Sequence, residues 1–201
     1  MEHYFTNNPN TKEEFYKVEC IVKDTKYKFT TNNSVFSKKN LDFGSRLMIE
    51  TVLDDMDNED GELLDMGCGY GPVGIIIGKN NPKLEITFAD VNNRALNLTK
   101  RNINDNGVTN KFEVVESDVY GNIDKNYDYI LTNPPIRAGK KIVHKILEES
   151  IEHLNKNGVL YVVIQKKQGA PSAKAKLIEV FGNCEIIKKS AGYNILKSIK
   201  E

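Results

Sequence analysis

From residue 62 onward, the sequence alternates between short, strand-like runs and longer segments with helical spacing. The short runs predict five strands, at Leu63–Met66, Ile86–Asp90, Phe112–Glu116, Tyr129–Thr132 and Val159–Gln165. The spacing of apolar residues predicts four helices, at Val73–Lys79, Arg94–Asn104, Lys141–Leu154 and Ala173–Phe181. Because strands joined through a helix run parallel, this alternation predicts a three-layer, Rossmann-like α/β fold with a mostly parallel sheet.

The C-terminal segment departs from this alternation. Two more strands are predicted at Glu185–Lys189 and Ile195–Ile199, which brings the sheet to seven strands. The turn Ala191-Gly192-Tyr193 between them is too short for a crossover, so they must pair as an antiparallel hairpin at one edge. The predicted sheet therefore has an antiparallel C-terminal strand.

The first part of the chain predicts a small β-hairpin and a helix. The hairpin has strands at Val18–Val22 and Tyr27–Thr31 and a turn at Asp24 and Thr25. The helix is predicted at Gly44–Met56 from its apolar stripe. We therefore expect an N-terminal hairpin extension over residues 1–40, packed on a core domain over residues 41–201.

Length and composition predict a cytoplasmic protein. The 201 residues suit one α/β domain. No apolar run approaches the roughly 18 residues that span a bilayer, and the polar N-terminus lacks a signal-peptide pattern. Three widely spaced cysteines fit neither a disulfide framework nor a metal site. We expect no membrane partner and no metal.

Charge is distributed unevenly along the chain, although its sum is zero. Basic residues predominate in three segments: Lys17–Lys39, Arg137–Lys145 and Lys166–Lys176. Acids are concentrated in Asp42–Asp65. Such segregation allows one basic face for the phosphates of RNA, although lysines solvated on an ordinary surface give the same pattern.

A glycine-rich loop follows the first core strand directly. Its sequence is Asp65-Met66-Gly67-Cys68-Gly69-Tyr70-Gly71-Pro72. Glycine adopts positive φ and has no Cβ, so the backbone can turn sharply and approach a ligand. The spacing G-x-G-x-G differs from that of dinucleotide-binding folds and lacks a P-loop lysine, which disfavours NAD and ATP. The crevice at the carboxyl ends of parallel strands is the expected ligand site.

Two carboxylates follow the next two strands. Asp90 ends the second strand, where it could accept from both hydroxyls of a ribose. Asp118 follows the third strand and could accept from an adenine amino group. The alternatives are local: Asp90 as a helix N-cap and Asp118 as a turn residue.

These residues resemble the cofactor motifs of class I methyltransferases over about residues 44–201. The resemblance implies S-adenosylmethionine as the cofactor and makes residues 41–201 the methyltransferase domain. It implies that Asp65 and the loop lie near the amino-acid portion of the cofactor, Asp90 near its ribose and Asp118 near its adenine. The cofactor-binding residues that we predict are Asp65, Gly67, Cys68, Gly69, Gly71, Asp90, Val91, Asp118, Val119 and Asn133.

The segment Thr132-Asn133-Pro134-Pro135-Ile136 follows the fourth strand. Two successive prolines fix φ and push Asn133 into an extended conformation. The side-chain carbonyl of Asn133 and the backbone carbonyl of Pro134 can then accept from one planar amino group and aim its nitrogen at the methyl donor. The alternative is a stiff loop without catalytic function.

The Asn-Pro-Pro segment resembles the catalytic motif of methyltransferases that act on adenine N6, guanine N2 or a protein glutamine amide. The fourth residue is usually aromatic in the adenine and glutamine enzymes, whereas this chain has isoleucine. The resemblance implies four catalytic residues, Asn133, Pro134, Pro135 and Ile136.

Three segments together are similar to the catalytic domain of bacterial small-subunit ribosomal RNA guanine-N2 methyltransferases. They are Val35-Phe36-Ser37, Leu41–Arg46 and Asn133–Gly139. The similarity covers about residues 15–200, and the longer family members carry an additional N-terminal half. It implies methylation of guanine N2, with ribosomal RNA or a small-subunit particle as the partner.

Further residues are candidates for contacts with the substrate. Arginine can bind phosphate through two hydrogen bonds or stack on a base, and phenylalanine can stack on an unpaired base, on the cofactor adenine, or pack in the core. The predicted substrate-binding residues are Phe36, Phe43, Arg46, Arg137, Lys166 and Lys167. The alternative functions are a protein glutamine or adenine-N6 methyltransferase and a catalytically silent RNA-binding module.

Overall fold

The computed structural model describes residues 14–33, 35, 40–56 and 60–201. The described residues form nine strands: β1 (Phe15–Val22), β2 (Thr25–Asn32), β3 (Asp60–Met66), β4 (Lys83–Asp90), β5 (Phe112–Glu116), β6 (Tyr127–Thr132), β7 (Leu154–Gln165), β8 (Glu185–Ser190) and β9 (Tyr193–Ile199). They also form five α-helices: α1 (Phe43–Asp55), α2 (Pro72–Asn80), α3 (Asn93–Asp105), α4 (Lys140–Glu149) and α5 (Ala170–Phe181). Short 3-10 turns lie at Ile136–Ala138, Ser150–His153 and Lys166–Gln168.

Seven of these strands form one sheet in the order β5-β4-β3-β6-β7-β9-β8. Neighbouring strands are parallel from β5 to β7, whereas β9 is antiparallel to both β7 and β8. The predicted fold class is therefore confirmed. The direction of the strand order reverses between β3 and β6, since the chain proceeds outward through β4 and β5 on one side and through β7 on the other. The carboxyl ends of β3, β4 and β6 thus flank the crevice where such sheets bind ligands.

Helices cover both faces of the sheet and bury two apolar clusters. Residues of α1, α2 and α3 contribute to one cluster, with Met48, Ile76 and Phe88 fully buried. Residues of α4 and α5 contribute to the other, with Leu147 and Leu177 fully buried. Among the described residues, no helix combines the length and the apolar character needed to cross a membrane.

The β1–β2 hairpin forms a separate two-stranded sheet that packs on α3. The buried side chain of Asn102 in α3 pairs with the backbone of Thr30, accepting from its N–H at 2.7 Å and donating to its carbonyl at 2.9 Å. Asn102 Nδ2 also donates to the carbonyl of Tyr70 in the glycine-rich loop at 2.9 Å. One side chain therefore joins the hairpin, α3 and the loop. The proposed boundary between residues 1–40 and 41–201 stays a prediction.

The turn of this hairpin lies one residue earlier than predicted. Lys23 and Asp24 both have positive φ, 46° and 61°. Two such residues form the kind of turn whose twist fits an antiparallel pair. Val22 therefore pairs with Thr25, a residue that the sequence had placed in the turn.

The helix predicted over Lys141–Leu154 was too long at its C-terminal end. The α-helix ends at Glu149, and a 3-10 turn leads into β7. Leu154 begins β7 because it pairs with Tyr127 of β6 and lies fully buried in the core. The apolar periodicity of the sequence does not distinguish the last turn of a helix from the buried start of a strand.

Candidate active site

The glycine-rich loop joins β3 to α2 through three glycines at positive φ. The φ angle is 75° at Gly67, 59° at Gly69 and 86° at Gly71, a region that glycine adopts without strain. A Cβ at Gly67 or Gly69 would meet no atom within 4 Å, so both face open space. A Cβ at Gly71 would lie 3.0 Å from Thr99 Cγ2 in α3. The first two glycines thus leave room for a ligand, and the third allows close packing of α3.

Asp90, the last residue of β4, fixes this loop. Its carboxylate accepts from the backbone N–H groups of Gly69 and Asn92, each at 2.9 Å. The carbonyl of Ala89 accepts from the first two N–H groups of the loop, at 2.8 and 3.0 Å. The N-cap of α3 is Asn92, whose side chain accepts from the first N–H groups of the helix. Asp90 is therefore not the helix cap that was its alternative role.

A second carboxylate lies beneath the loop. Asp65 is 3% exposed, and its Oδ2 accepts from the N–H of Gly74 in α2 at 2.9 Å. Burial, and then the charge of Asp90, raise the pKa of Asp65 from 3.8 to about 7 against the opposing effect of the Gly74 N–H. Burial also raises the pKa of Asp90, and the backbone N–H groups that it accepts from oppose this. Asp65 thus anchors α2 from below, while Asp90 lies at the rim of the crevice.

The loop after β5 carries Asp118 and Val119. Asp118 is exposed, whereas Val119 is buried with a φ of 54°, which a β-branched residue rarely adopts. Ser117 holds this loop, since its Oγ donates to the Val119 carbonyl at 2.7 Å and its N–H donates to the Asp90 carbonyl at 3.0 Å. Asp118 therefore lies at the same edge of the sheet as Asp90 and the half-buried Val91.

Asn133 follows β6, and the N-terminus of α1 fixes its side-chain amide. Asn133 Nδ2 donates to Ser45 Oγ at 3.0 Å and to Asp42 Oδ1 at 3.4 Å. Within the described part of the chain, neither Asn133 Oδ1 nor the carbonyl of the buried Pro134 accepts a hydrogen bond. Both oxygens are available to one amino group. Pro135 and Ile136 behind them are half-buried at the start of a 3-10 turn.

The same helix terminus contacts an aromatic ring from β9. Phe43, the first residue of α1, is 45% exposed, and its ring centroid lies 5.5 Å from that of Tyr193. A Cβ at Gly44 would lie 2.8 Å from Tyr193 Cε1, so the tyrosine ring lies directly on this glycine. The N-terminus of α1 therefore touches both the Asn-Pro-Pro segment and an aromatic pair.

Comparison with known proteins assigns the family of the chain. Residues 12–197 match the sequence model of the family described as Methyltransferase small domain. This chain belongs to that family. The predicted membership of the class I methyltransferases is thereby confirmed.

Individual family relatives differ in length. Uncharacterized protein YbxB of Bacillus subtilis is 44% identical over 201 residues, which cover 99% of this chain and 98% of that protein. Ribosomal RNA small subunit methyltransferase C of Photorhabdus laumondii is 31% identical over 207 residues, which cover 100% of this chain and 56% of that protein. A solved 16S rRNA N2 methyltransferase of T. thermophilus, in complex with AdoMet and guanosine, has a TM-score of 0.84 at 21% identity and shares the fold. The structural match covers 96% of this chain and 52% of the T. thermophilus enzyme. This chain therefore spans about half the length of these two enzymes.

The predicted substrate-binding residues of this family member have different surroundings. Three are exposed at the carboxyl edge of the sheet: Arg137, Lys166 and Lys167. The guanidinium of Arg46 instead joins α1 to the hairpin, because it donates to Glu50 Oε1 and to the Ile21 carbonyl, each at 2.9 Å. Phe36 lies outside the described residues. The role of all these residues in substrate binding stays a prediction.

Three residues that the sequence analysis missed also belong to the site of this family member. Asp42 and Ser45 fix Asn133, and the hydrogen bond from Ser45 N to Asp42 Oδ1 at 3.0 Å has the spacing of a helix N-cap. That spacing is a usable sequence signal. Tyr193 has no local signal, because only the pairing of β9 with β7 brings it to this edge. The structure contains, over its described ranges, no group of three or more His, Cys, Asp or Glu side chains suited to a metal ion.

Proposed function

We propose that this chain transfers a methyl group from S-adenosylmethionine to N2 of a guanine in small-subunit ribosomal RNA. Three findings support the proposal. The chain belongs to a methyltransferase family, relatives of this chain are named as small-subunit ribosomal RNA methyltransferases, and the T. thermophilus relative in fold is named as an N2 enzyme. The site supplies the fourth and most direct support.

The crevice suits S-adenosylmethionine, whose sulfonium supplies an electrophilic methyl group. The backbone of Gly67 and Gly69 leaves open space above β3, as a closely held ligand requires. Asp90 keeps its carboxylate at the rim of the crevice and would hold the ribose hydroxyls. Asp118, exposed at the next strand end, would accept from the adenine amino group. Asp65 would act through the loop, because it lies beneath the backbone.

The fixed amide of Asn133 is the observation that carries the proposal. Ser45 and Asp42 accept from Nδ2, which leaves Asn133 Oδ1 and the carbonyl of the adjacent Pro134 as two acceptors without a donor among the described residues. Two acceptors with fixed positions suit a planar amino group with two hydrogens. Hydrogen bonds to both hydrogens orient the nitrogen lone pair and stabilise the positive charge that the nitrogen gains on methylation. One of the two protons then passes to solvent water, which restores a neutral amine.

Mass spectrometry of nucleosides tests the proposal. The purified chain is incubated with S-adenosylmethionine and either naked small-subunit RNA or small-subunit particles, and we expect N2-methylguanosine in the digest. Asn133→Ala is the matched control and should give only traces. N6-methyladenosine, or methylated glutamine in the particle proteins, would replace the guanine assignment. Cofactor binding without any transfer would instead indicate a silent RNA-binding module.

A further inference from the structure

The proposed role of Asn133 in orienting the amino group does not explain the position of the aromatic pair Phe43–Tyr193. Phe43 exposes almost half of its side chain, although it is large and apolar. The ring of Tyr193 packs on Phe43 and on Gly44, within one turn of the helix residue that holds Asn133. An aromatic pair with one exposed and one half-buried ring, beside a site for a base amino group, is suited to stacking on that base.

The sheet order places this pair on the substrate side of Asn133. Asn133 follows β6, and Tyr193 begins β9, two strand positions further along the sheet. The glycine-rich loop and Asp90 follow β3 and β4, on the opposite side of β6. With about 4.8 Å between neighbouring strands, β9 lies about 14 Å from β3. Asn133, which is proposed to orient the acceptor, therefore lies between the pair and the cofactor crevice.

Four lysines lie at the same edge of the sheet as the pair. Lys166 and Lys167 follow β7, and the N–H of Lys166 donates to the carbonyl of Gly192, next to Tyr193, at 2.8 Å. Lys188 and Lys189 lie at the end of β8, which pairs with β9. All four are exposed, and none forms an ion pair with another described residue. By contrast, Lys176 in α5 is paired with two glutamates. Unpaired lysines around an aromatic surface are the arrangement that single-stranded nucleic acid requires.

We propose that Phe43 and Tyr193 form the platform on which the acceptor base stacks, and that Lys166, Lys167 and Lys188 hold the adjacent phosphates. This inference rests on the proposed RNA substrate and names the residues that select an unpaired base. The base leaves its own stack to reach Asn133, and the aromatic pair replaces the stacking that it loses. Either ring can stack on any base, so the pair favours unpaired RNA rather than a particular sequence.

Substitution of Tyr193 tests the platform, with Tyr193→Leu and Tyr193→Phe as a matched pair. We measure the dissociation constant of fluorescently labelled single-stranded small-subunit RNA by anisotropy, which requires no turnover, and cofactor affinity by calorimetry. Tyr193→Leu should weaken RNA binding by about 10- to 100-fold, because one base loses its stacking partner. Tyr193→Phe should bind as the wild type does, and both variants should keep the cofactor affinity.

Phe112→Leu is the control for the loss of an exposed aromatic ring. Phe112 is 43% exposed, similar to Phe43, but it lies on the edge strand β5. The Phe112→Leu variant should leave RNA binding unchanged, whereas Phe43→Leu should weaken RNA binding. Unchanged RNA affinity in folded Tyr193→Leu would overturn the platform, as would a parallel loss of cofactor affinity. The proposed function fails separately, if the wild type binds RNA but forms no N2-methylguanosine.

Discussion

The proposed cofactor crevice and the proposed acceptor site lie at the same edge of one sheet, yet they are constructed in different ways. The crevice comes from consecutive strand–loop units between Asp65 and Val119, and hydrogen bonds from backbone N–H groups hold its carboxylates. The acceptor site combines the start of α1, the loop after β6 and the start of β9. In the acceptor site, side-chain hydrogen bonds and ring contacts join segments that are far apart in the sequence.

This difference indicates two separable functions. The backbone of the crevice is bonded directly to the ends of the strands. The position of the Asn133 amide, which is proposed to orient the acceptor, depends on single side chains, such as the hydroxyl of Ser45. Substitutions in the crevice should therefore change cofactor affinity, and substitutions in the acceptor site should change the rate of transfer at saturating cofactor.

Asn133→Ala should have the largest effect on methyl transfer. The substitution deletes the side-chain acceptor and leaves the Asn-Pro-Pro backbone in place, so the amino group loses its orientation and the stabilisation of its developing charge. We expect the single-turnover rate to fall about 100-fold or more, with the cofactor dissociation constant unchanged in calorimetry. Equal rates for variant and wild type would remove this loop from the catalytic site.

Asn133→Asp sharpens the same test. A carboxylate at this position would lie beside Asp42 Oδ1, which is now 3.4 Å from Asn133 Nδ2. Like charges at this distance repel, so the variant should lose orientation although it retains an acceptor oxygen. Its activity should recover as the pH falls and the introduced carboxyl is protonated. Activity that is independent of pH would contradict this account.

Asp90→Ala should have the second largest effect, and it should act on cofactor binding. The variant loses the carboxylate proposed to hold the ribose and leaves the N–H of Gly69 without its acceptor. We expect cofactor affinity to fall by at least about tenfold. Asp124→Ala is the matched control, since Asp124 is exposed and is not among the residues proposed to hold the cofactor. If the transfer rate at saturating cofactor falls by the same factor as the cofactor affinity, the proposed separation of cofactor binding from acceptor orientation is wrong.

Ser45→Ala should have a smaller effect, confined to the acceptor site. It removes the nearer of the two acceptors for Asn133 Nδ2 and leaves Asp42 in place. One net hydrogen bond corresponds to a loss of about two- to tenfold in the transfer rate. Ser45→Thr retains the hydroxyl and should preserve more activity than Ser45→Ala. The comparison is made in single turnover at saturating cofactor, where a change confined to cofactor affinity is not detected.

Asp65→Asn should have the smallest effect on transfer and a clear effect on stability. Because the folded-state pKa of Asp65 is raised from 3.8 to about 7, the carboxyl stabilises the fold below about pH 4 and loses this contribution as the pH rises through 7. The free energy of unfolding of the wild type should therefore decline over this range, by at most about 1.4 kcal/mol per pH unit. The decline should be shallower in Asp65→Asn, as measured by denaturant unfolding without cofactor. Identical slopes would show that Asp65 titrates normally.

Much of the fold and of the cofactor crevice could be predicted from the sequence, because their signals are local. The alternation of strands and helices specifies a parallel sheet, and the glycines and carboxylates that follow the strands meet at one edge of it. The short Ala191-Gly192-Tyr193 turn likewise specifies an antiparallel end to the sheet. The end of α4 was not predictable in this way, since Leu154 continues the apolar pattern of the helix but pairs as a strand.

The sequence by itself determined the fold class, the crevice and the Asn-Pro-Pro segment of this protein, because short-range periodicity and backbone restrictions encode them. Only the tertiary structure decided what surrounds Asn133. Its hydrogen bonds to Asp42 and Ser45 span about half the chain, and the contact between Phe43 and Tyr193 depends on β9 inserting between β7 and β8. It also decided that the Arg46 guanidinium donates to the Ile21 carbonyl of the hairpin. Such contacts have no local signature, since they arise from packing elements whose neighbours are set by the strand order of the whole sheet.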